Sequence, residues 1–189
     1  MKELEERILN NSRIIDNEII KVDSFLNHQI DVMLIKRFAE EVREFFNKVK
    51  VNKVLTIETS GIAVAYAVAE TFGGVPLLFA KKSKSKIVDD NVYKTTIKSF
   101  TRNVDSEVTV SKQYLKQGEN VLIVDDFLAE GNAAIGLIDL CKQAGAKPIG
   151  FATVIEKSFQ GGRARIENEG VKVFAGASIK AFADNKPVF

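Results

Sequence analysis

The amino-acid sequence predicts an α/β fold built on a parallel sheet, and three observations carry that expectation. Unbroken runs of β-branched residues and leucine recur, the densest being Val121, Leu122, Ile123 and Val124, and such runs mark strands buried on both faces. Stretches of helical apolar spacing alternate with them, which gives parallel strands joined by helical crossovers. Each main strand also finishes in polar groups: Glu58, Thr59 and Ser60, then Lys81 and Lys82, then Asp125 and Asp126, then Lys157. In a parallel sheet those ends share one edge, and ligands bind in the crevice outside it.

Taken in order, residues 4–9 read as a short charged helix, and 14–22, which mix Ile15, Ile19 and Ile20 with Asp16, Asn17 and Glu18, as a hairpin or extended piece. Residues 21–30 hold many hydrogen-bonding side chains close together. Asp31 is the expected N-cap of a helix through Leu34, Phe38, Val42, Phe45 and Phe46. A strand at 53–58 leads through Thr59-Ser60-Gly61 into a small-residue helix at 62–72, stopped by Gly73 and Gly74. A strand follows at 75–80. Residues 83–105 are polar and basic, with core periodicity only around Val92, Tyr93, Ile97 and Phe100, and 107–110 pairs with that piece as a hairpin. The run at 121–124 is ended by Asp125 and Asp126. Beyond it a small-residue loop at 129–133 opens into a helix through Ile135, Leu137, Ile138 and Cys141. Residues 148–155 form another strand, Gln160-Gly161-Gly162-Arg163 turns into a helix at 164–169, and a late strand lies at 171–175.

A chain of 189 residues is enough for one α/β domain with a good core. Its formal net charge of +2 gives no bulk electrostatic case for binding nucleic acid. Cys141, the single cysteine, cannot form an internal disulfide and reads as a core residue, so a reducing, cytoplasmic setting is expected. The first residues, Met1-Lys2-Glu3-Leu4-Glu5-Glu6-Arg7, contain no apolar signal region, and no apolar run is long enough to span a membrane.

The stretch from Gly118 to Ala134 organises the rest. Two adjacent carboxylates at a strand's C-terminal edge are costly to bury unless something pairs with them. A helix N-terminus offers free N–H groups and a partial positive charge, so it suits phosphate, and Gly131 lets backbone approach a ligand closely. Carboxylates accept hydrogen bonds from sugar hydroxyls. Strand, acid pair and phosphate cradle together describe a ribose-5-phosphate site. A structural turn whose acids cap the helix is the plain alternative.

That stretch resembles the PRPP-binding motif of type I phosphoribosyltransferases, in which a hydrophobic strand, two acids and a small-residue turn follow one another. The resemblance implies the fold of that family, a single domain over 1–189, with a small N-terminal hood over the base site at 1–30 and a mobile loop at 83–106. It implies that Asp125 and Asp126 hold the ribose and act as the catalytic pair. PRPP would be bound by Ala129, Glu130, Gly131, Asn132 and Ala133, with the backbone and the Asn132 amide on the 5′-phosphate and the Glu130 carboxylate turned to solvent. Thr59, Ser60 and Gly61 would form the pyrophosphate loop, although Ser60 serves equally as an N-cap. Lys81 and Lys82 would neutralise the diphosphate. Mg²⁺ is implied as cofactor, held mainly by PRPP with Asp125 and Asp126 as candidate contacts. A homodimer is implied too.

Within the family the chain is most similar to the xanthine phosphoribosyltransferases. The pieces that carry this are residues 21–29, Phe127-Leu128-Ala129 with Gly131, and residues 154–160. The similarity implies that Ile20 and Asn27 belong to the hood, that Phe127 lies against the purine, and that Lys157 meets its oxygens. Relatives acting on hypoxanthine and guanine carry an Asp three residues after the acid pair, to take the purine proton. Here that position is Ala129. Xanthine is the stronger acid, and a cation such as Lys157 favours its anion further, so no base is needed there. His28, the only histidine, is expected to order the hood or cap the next helix. Two alternatives stay open: transfer to another purine, and a PRPP-sensing regulator of the same fold. The second expects a DNA-binding domain first, and the roughly fifty residues before the first main strand show no helix-turn-helix pair or basic patch.

Overall fold

The structure, a computed structural model, describes residues 1–82, 91–98 and 105–189. The chain opens with α1 (Lys2–Asn11), whose buried Leu4 and Ile8 anchor one face. A hairpin of β1 (Arg13–Ile15) and β2 (Ile19–Lys21) follows, and Asp23–Asn27 forms a wide π-type turn that buries Phe25 and Leu26. Helix α2 (Val32–Phe45) starts at Asp31, whose side chain accepts a hydrogen bond from the Leu34 N–H at 3.1 Å, as its position before the apolar periodicity predicts. Asp31, not His28, is therefore the cap. The Arg7 guanidinium also binds the Asp31 carboxylate, and the Leu34 N–H first, with Arg7 behind it, holds the Asp31 pKa below the ordinary value against the effect of burial.

The central layer is a seven-stranded sheet. Its strands are β3 (Lys53–Ile57), β4 (Leu77–Lys82), β5 (Val92–Lys98), β6 (Asp105–Ser111), β7 (Asn120–Leu128), β8 (Lys147–Lys157) and β9 (Val173–Ile179). The spatial order is β5-β6-β4-β3-β7-β8-β9. The five strands from β4 to β9 are parallel to their neighbours, as the buried runs predict, while β6 and β5 add an antiparallel edge. The expected hairpin is thus present and longer than foreseen, with seven register pairs from Val92↔Ser111 to Lys98↔Asp105. Residues 83–90 and 99–104, and with them Phe100, lie outside the described residues, so much of the implied mobile loop does too.

Helices α3 (Gly61–Thr71) and α4 (Asn132–Ala144) cross between parallel strands, and α5 (Gly162–Asn168) precedes β9. Two apolar cores result. One gathers α1, α2 and α3 with Leu122, Val124 and Val154; the other gathers α4 and Ile166 with Leu55, Ile123 and Phe151. Cys141 is fully buried in the second core, and burial pushes its thiol up to about 12, the behaviour of a packing residue. Gly136 brings α4 against β5, since a Cβ there would lie 2.6 Å from the Ile97 side chain. This seats the antiparallel edge beside the helix that begins at the acid pair's loop.

A second hairpin closes the chain, β10 (Ala181–Ala183) with β11 (Lys186–Val188). It was not foreseen. Its signal was there to read: Asp184-Asn185 is a two-residue turn of the kind that tolerates positive φ, and both residues adopt it, at 48° and 54°. Among the described residues no helix is long and apolar enough to cross a membrane.

Candidate active site

The strand that carries the acid pair does not stop at it. β7 continues to Leu128, with Asp125 paired to Thr153 of β8 and Leu128 to Glu156. The sheet itself therefore holds the two carboxylates, which are only 6% and 9% exposed. Asp125 Oδ1 accepts the Asp126 N–H at 2.9 Å. Burial first, and the Asp126 charge second, push the Asp125 carboxyl well above its ordinary pKa, while Lys82 pulls it down. A buried carboxylate in that condition is a place where a cation or a donor is favoured.

The acid pair opens on a cavity of about 650 Å³ at the C-terminal edge of β3 and β7. Thr59, Ser60, Lys82, Phe127 and the whole loop from Ala129 to Ala133 line it. Two helices begin there, and neither has a side-chain cap. Ser60 precedes α3 without donating or accepting a cap bond, so its expected capping role is not realised. Gly131 precedes α4 in a left-handed conformation with φ 80°. In α3 the Ile62 N–H already donates to the Thr59 carbonyl at 3.2 Å, and the first-turn N–H groups of α4 take no side-chain cap, so that both helix starts present backbone N–H groups towards an anion. Glu58, just before the first of these turns, accepts the Lys82 N–H through its side chain at 2.7 Å, tying β4 to the loop. A smaller cavity of about 430 Å³ lies on the far side of Asn132, between β5 and α4, and contains neither acid.

Neighbouring residues on a strand face opposite ways, and this separates the two lysines. Lys82 lines the cavity. Lys81 does not; its ammonium sits 6.0 Å from the ring of Phe79, on the other face of the strand. Of the two lysines expected at the diphosphate, Lys82 alone lines the cavity. Glu130 also departs from expectation. It is half-buried, and its carboxylate accepts from the Asn132 Nδ2 at 3.1 Å instead of facing solvent freely. Arg165 donates to Asn132 Oδ1 at 2.7 Å and to the Glu130 carbonyl at 2.5 Å. The Asn132 amide is thus engaged in shaping the loop, and the backbone is what the loop presents to a phosphate.

Gly162 sets where that loop lies. Its N–H donates to the Ala129 carbonyl at 3.1 Å. A Cβ on Gly162 would lie 2.3 Å from that carbonyl oxygen and 2.9 Å from the Gly131 nitrogen. Gly162→Ala is accordingly expected to displace the loop and raise KM for PRPP about 30-fold, with melting temperature lowered by no more than about 4 °C. Steady-state kinetics at saturating base, beside a thermal melt, check it.

The four residues expected around the base fall into two groups. Phe127 lines the cavity; Ile20, Asn27 and Lys157 do not. Ile20 is buried in β2 and Asn27 is exposed at the end of the wide turn. Lys157, the last residue of β8, is half-buried and reaches back to the N-terminal hairpin, where its Nζ donates to the Glu18 carbonyl at 2.9 Å. Burial lowers its pKa from the ordinary value, opposed by the charge of Glu18. Glu156, the residue before Lys157, is turned to a different partner. It is 1% exposed and takes both arms of the Arg163 guanidinium, at 2.7 and 2.8 Å, while Arg163 also donates to the Val173 carbonyl at 3.0 Å. This buried fork fixes α5, and so Gly162, against the sheet. No spacing rule announces such a pair in a sequence.

Comparison with known proteins agrees with this geometry. The chain is 47% identical over 189 residues, covering all of both chains, to the xanthine phosphoribosyltransferase of Laribacter hongkongensis (strain HLHK9). It is 48% identical over 188 residues to that of Clostridioides difficile (strain 630), covering 100% of this chain and 98% of the other. Its fold is that of the adenine phosphoribosyl transferase of Trypanosoma brucei solved with AMP, pyrophosphate and ribose-5-phosphate, at TM-score 0.78 and 13% identity, covering 97% and 82% of the two chains. The Giardia lamblia APRTase complexed with 9-deazaadenine aligns at TM-score 0.75 and 23% identity, covering 88% and 93%. Residues 21–178 match the family described as the phosphoribosyl transferase domain, and the chain belongs to that family.

Proposed function

We propose that this chain transfers the 5-phosphoribosyl group of PRPP to xanthine, forming XMP and releasing pyrophosphate. The observation that carries the reading is the pair of helix N-termini without side-chain caps, at α3 and α4, opening on one cavity with the buried acids of β7, the strand next to β3. PRPP has two phosphate groups joined by a ribose, and this cavity offers two anion cradles and a carboxylate pair. The 47% identity to proteins named for xanthine selects the base.

In this reading the first-turn N–H groups of α4 hold the 5′-phosphate, and those of α3, with Lys82, hold the diphosphate. Asp125 and Asp126 accept from the ribose hydroxyls and stabilise the positive charge that develops on the sugar as the bond to pyrophosphate breaks and the bond to the purine nitrogen forms. Phe127 packs against the base. Ile20 and Asn27 belong to the hood, the N-terminal segment of residues 1–30. Lys157 meets the oxygens of the base and favours its anion, so that Ala129 suffices where a proton acceptor would otherwise stand.

The donor set fits Mg²⁺. Two carboxylates, one of them held with a raised pKa by burial, are the number such an ion takes from protein when substrate phosphates supply the rest. Bound there with PRPP, the ion would supply charge neutralisation for the leaving diphosphate. The chain works as a homodimer, for which Val32 and Met33 of α2 and Tyr66 of α3 supply apolar surface, being 71%, 58% and 67% exposed. A cytoplasmic setting goes with the unpaired Cys141.

The test is product identification. PRPP, Mg²⁺ and xanthine should yield XMP and pyrophosphate in equal amounts, read by mass spectrometry and a coupled phosphate assay. PRPP left unconsumed, or consumed without XMP, would overturn the proposal.

A further inference from the structure

Two hairpins from opposite ends of the chain meet beside Lys157. The first turns through Asp16 and Asn17, at φ 53° and 51°, and the second through Asp184 and Asn185, at φ 48° and 54°. The Asn17 N–H donates to Asn185 Oδ1 at 3.1 Å, and the Asn185 N–H donates to Asn17 Oδ1 at 2.8 Å. The two turns are thus joined by a reciprocal pair of bonds, each asparagine giving its backbone N–H and receiving with its side chain.

Each hairpin then delivers one partner to the same ammonium. Glu18, the neighbour of Asn17, offers the carbonyl that accepts from Lys157 Nζ at 2.9 Å. Phe182, three residues before Asn185, places its ring centroid 5.7 Å from that Nζ. Phe182 is itself braced edge-on by Phe159, with centroids 5.5 Å apart and the planes at 75°. A lysine on a flexible four-carbon stem holds a point charge poorly by itself. Here a carbonyl and a π face fix it, and both depend on the two turns staying together. One of the three Nζ protons is used by Glu18, which leaves two for a ligand.

We infer that the Asn17–Asn185 clasp is a positioning device for Lys157, and that the C-terminal hairpin joins the N-terminal one as a wall of the base site. This rests on the reading that Lys157 meets the base. Asn17 and Asn185 act through Lys157 and do not touch the reacting atoms.

The clasp is tested by calorimetric binding of XMP, IMP, GMP and AMP, with ribose 5-phosphate as the probe that lacks a base. Asn17→Gly and Asn185→Gly remove the acceptor while leaving a residue that adopts positive φ without strain. Each is expected to weaken the tightest-bound nucleotide about 5-fold, a loss of the size expected for one hydrogen bond's worth of positioning. Ribose 5-phosphate should change by less than about twofold. The double variant loses both bonds and should be at least as weak as either single one. Asn17→Asp and Asn185→Asp keep the acceptor and should restore binding. In a Lys157→Ala background the glycine substitutions should have no further effect.

Unchanged nucleotide binding in both glycine variants, an equal loss for ribose 5-phosphate, or an undiminished effect without Lys157 would each overturn the clasp. Failure of the functional reading looks different. If a nucleotide other than XMP binds tightest to the unaltered protein, the choice of xanthine is wrong, and the clasp stands or falls on the same comparison made with that nucleotide.

Discussion

Lys157→Ala is expected to lower kcat/KM for xanthine about 100-fold, the penalty for leaving a base oxygen unpaired in a site built to bind it. KM for PRPP should hold within about twofold, because Lys157 does not line the cavity that carries the acid pair and both helix N-termini. The loss should also depend on pH. Burial lowers the Lys157 pKa, so the ammonium is lost at a lower pH than an exposed lysine would lose it. For the unaltered enzyme kcat/KM for xanthine should therefore fall on an alkaline limb set below the ordinary lysine range, and the variant should lack that limb. Steady-state rates across pH on both proteins measure it. Near-normal xanthine turnover by Lys157→Ala would remove the lysine from base recognition.

Asp125→Asn should separate stability from activity. The folded protein raises the Asp125 pKa well above the unfolded value, chiefly by burial. A group raised in this way contributes its stability below the unfolded carboxyl pKa and loses it as pH rises through the folded one. At pH 8 the carboxylate is thus a cost, which the neutral amide of similar shape does not carry. In Mg²⁺-free buffer the variant should melt about 4 °C above the unaltered protein at pH 8, with the gap closing as pH falls towards about 4. Its kcat with PRPP, Mg²⁺ and xanthine should nonetheless fall about 100-fold, since an amide cannot supply the negative charge the developing sugar cation needs. Thermal melts at several pH values beside turnover at one check both halves. A variant no more stable at pH 8 would mean that the pair is already compensated within the protein.

The parallel core of the sheet was legible because burial on both faces demands continuous apolar runs, and residues 121–124 and 148–155 contain them. The cap at Asp31 was legible for a local reason: an acceptor precedes a helical periodicity by one position. The loop around Gly131 was legible in kind, as small residues opening a helix. What was not legible depends on contacts distant in sequence. Nothing local to Asp125 tells that β7 runs on to Leu128, pairing Phe127 and Leu128 with β8, so the acid pair does not mark the strand's end. Lys81 and Lys82 are equivalent in composition, and only the register of β4 decides which one meets the cavity. The capture of the Asn132 amide by Glu130 and Arg165 joins residues 33 positions apart. The Glu156–Arg163 fork pairs a fully buried carboxylate with a residue of the next helix, a contact no local pattern announces.

The choice of base is decided by kcat/KM for xanthine, hypoxanthine, guanine and adenine, measured side by side with saturating PRPP and Mg²⁺. Xanthine should be preferred over each of the others by about tenfold or more, the discrimination expected when a charged partner meets an anionic base. Equal rates on all four, or a preference for another purine, would leave the PRPP cavity in place and contradict the assignment of Lys157 and Ala129 to the choice of base.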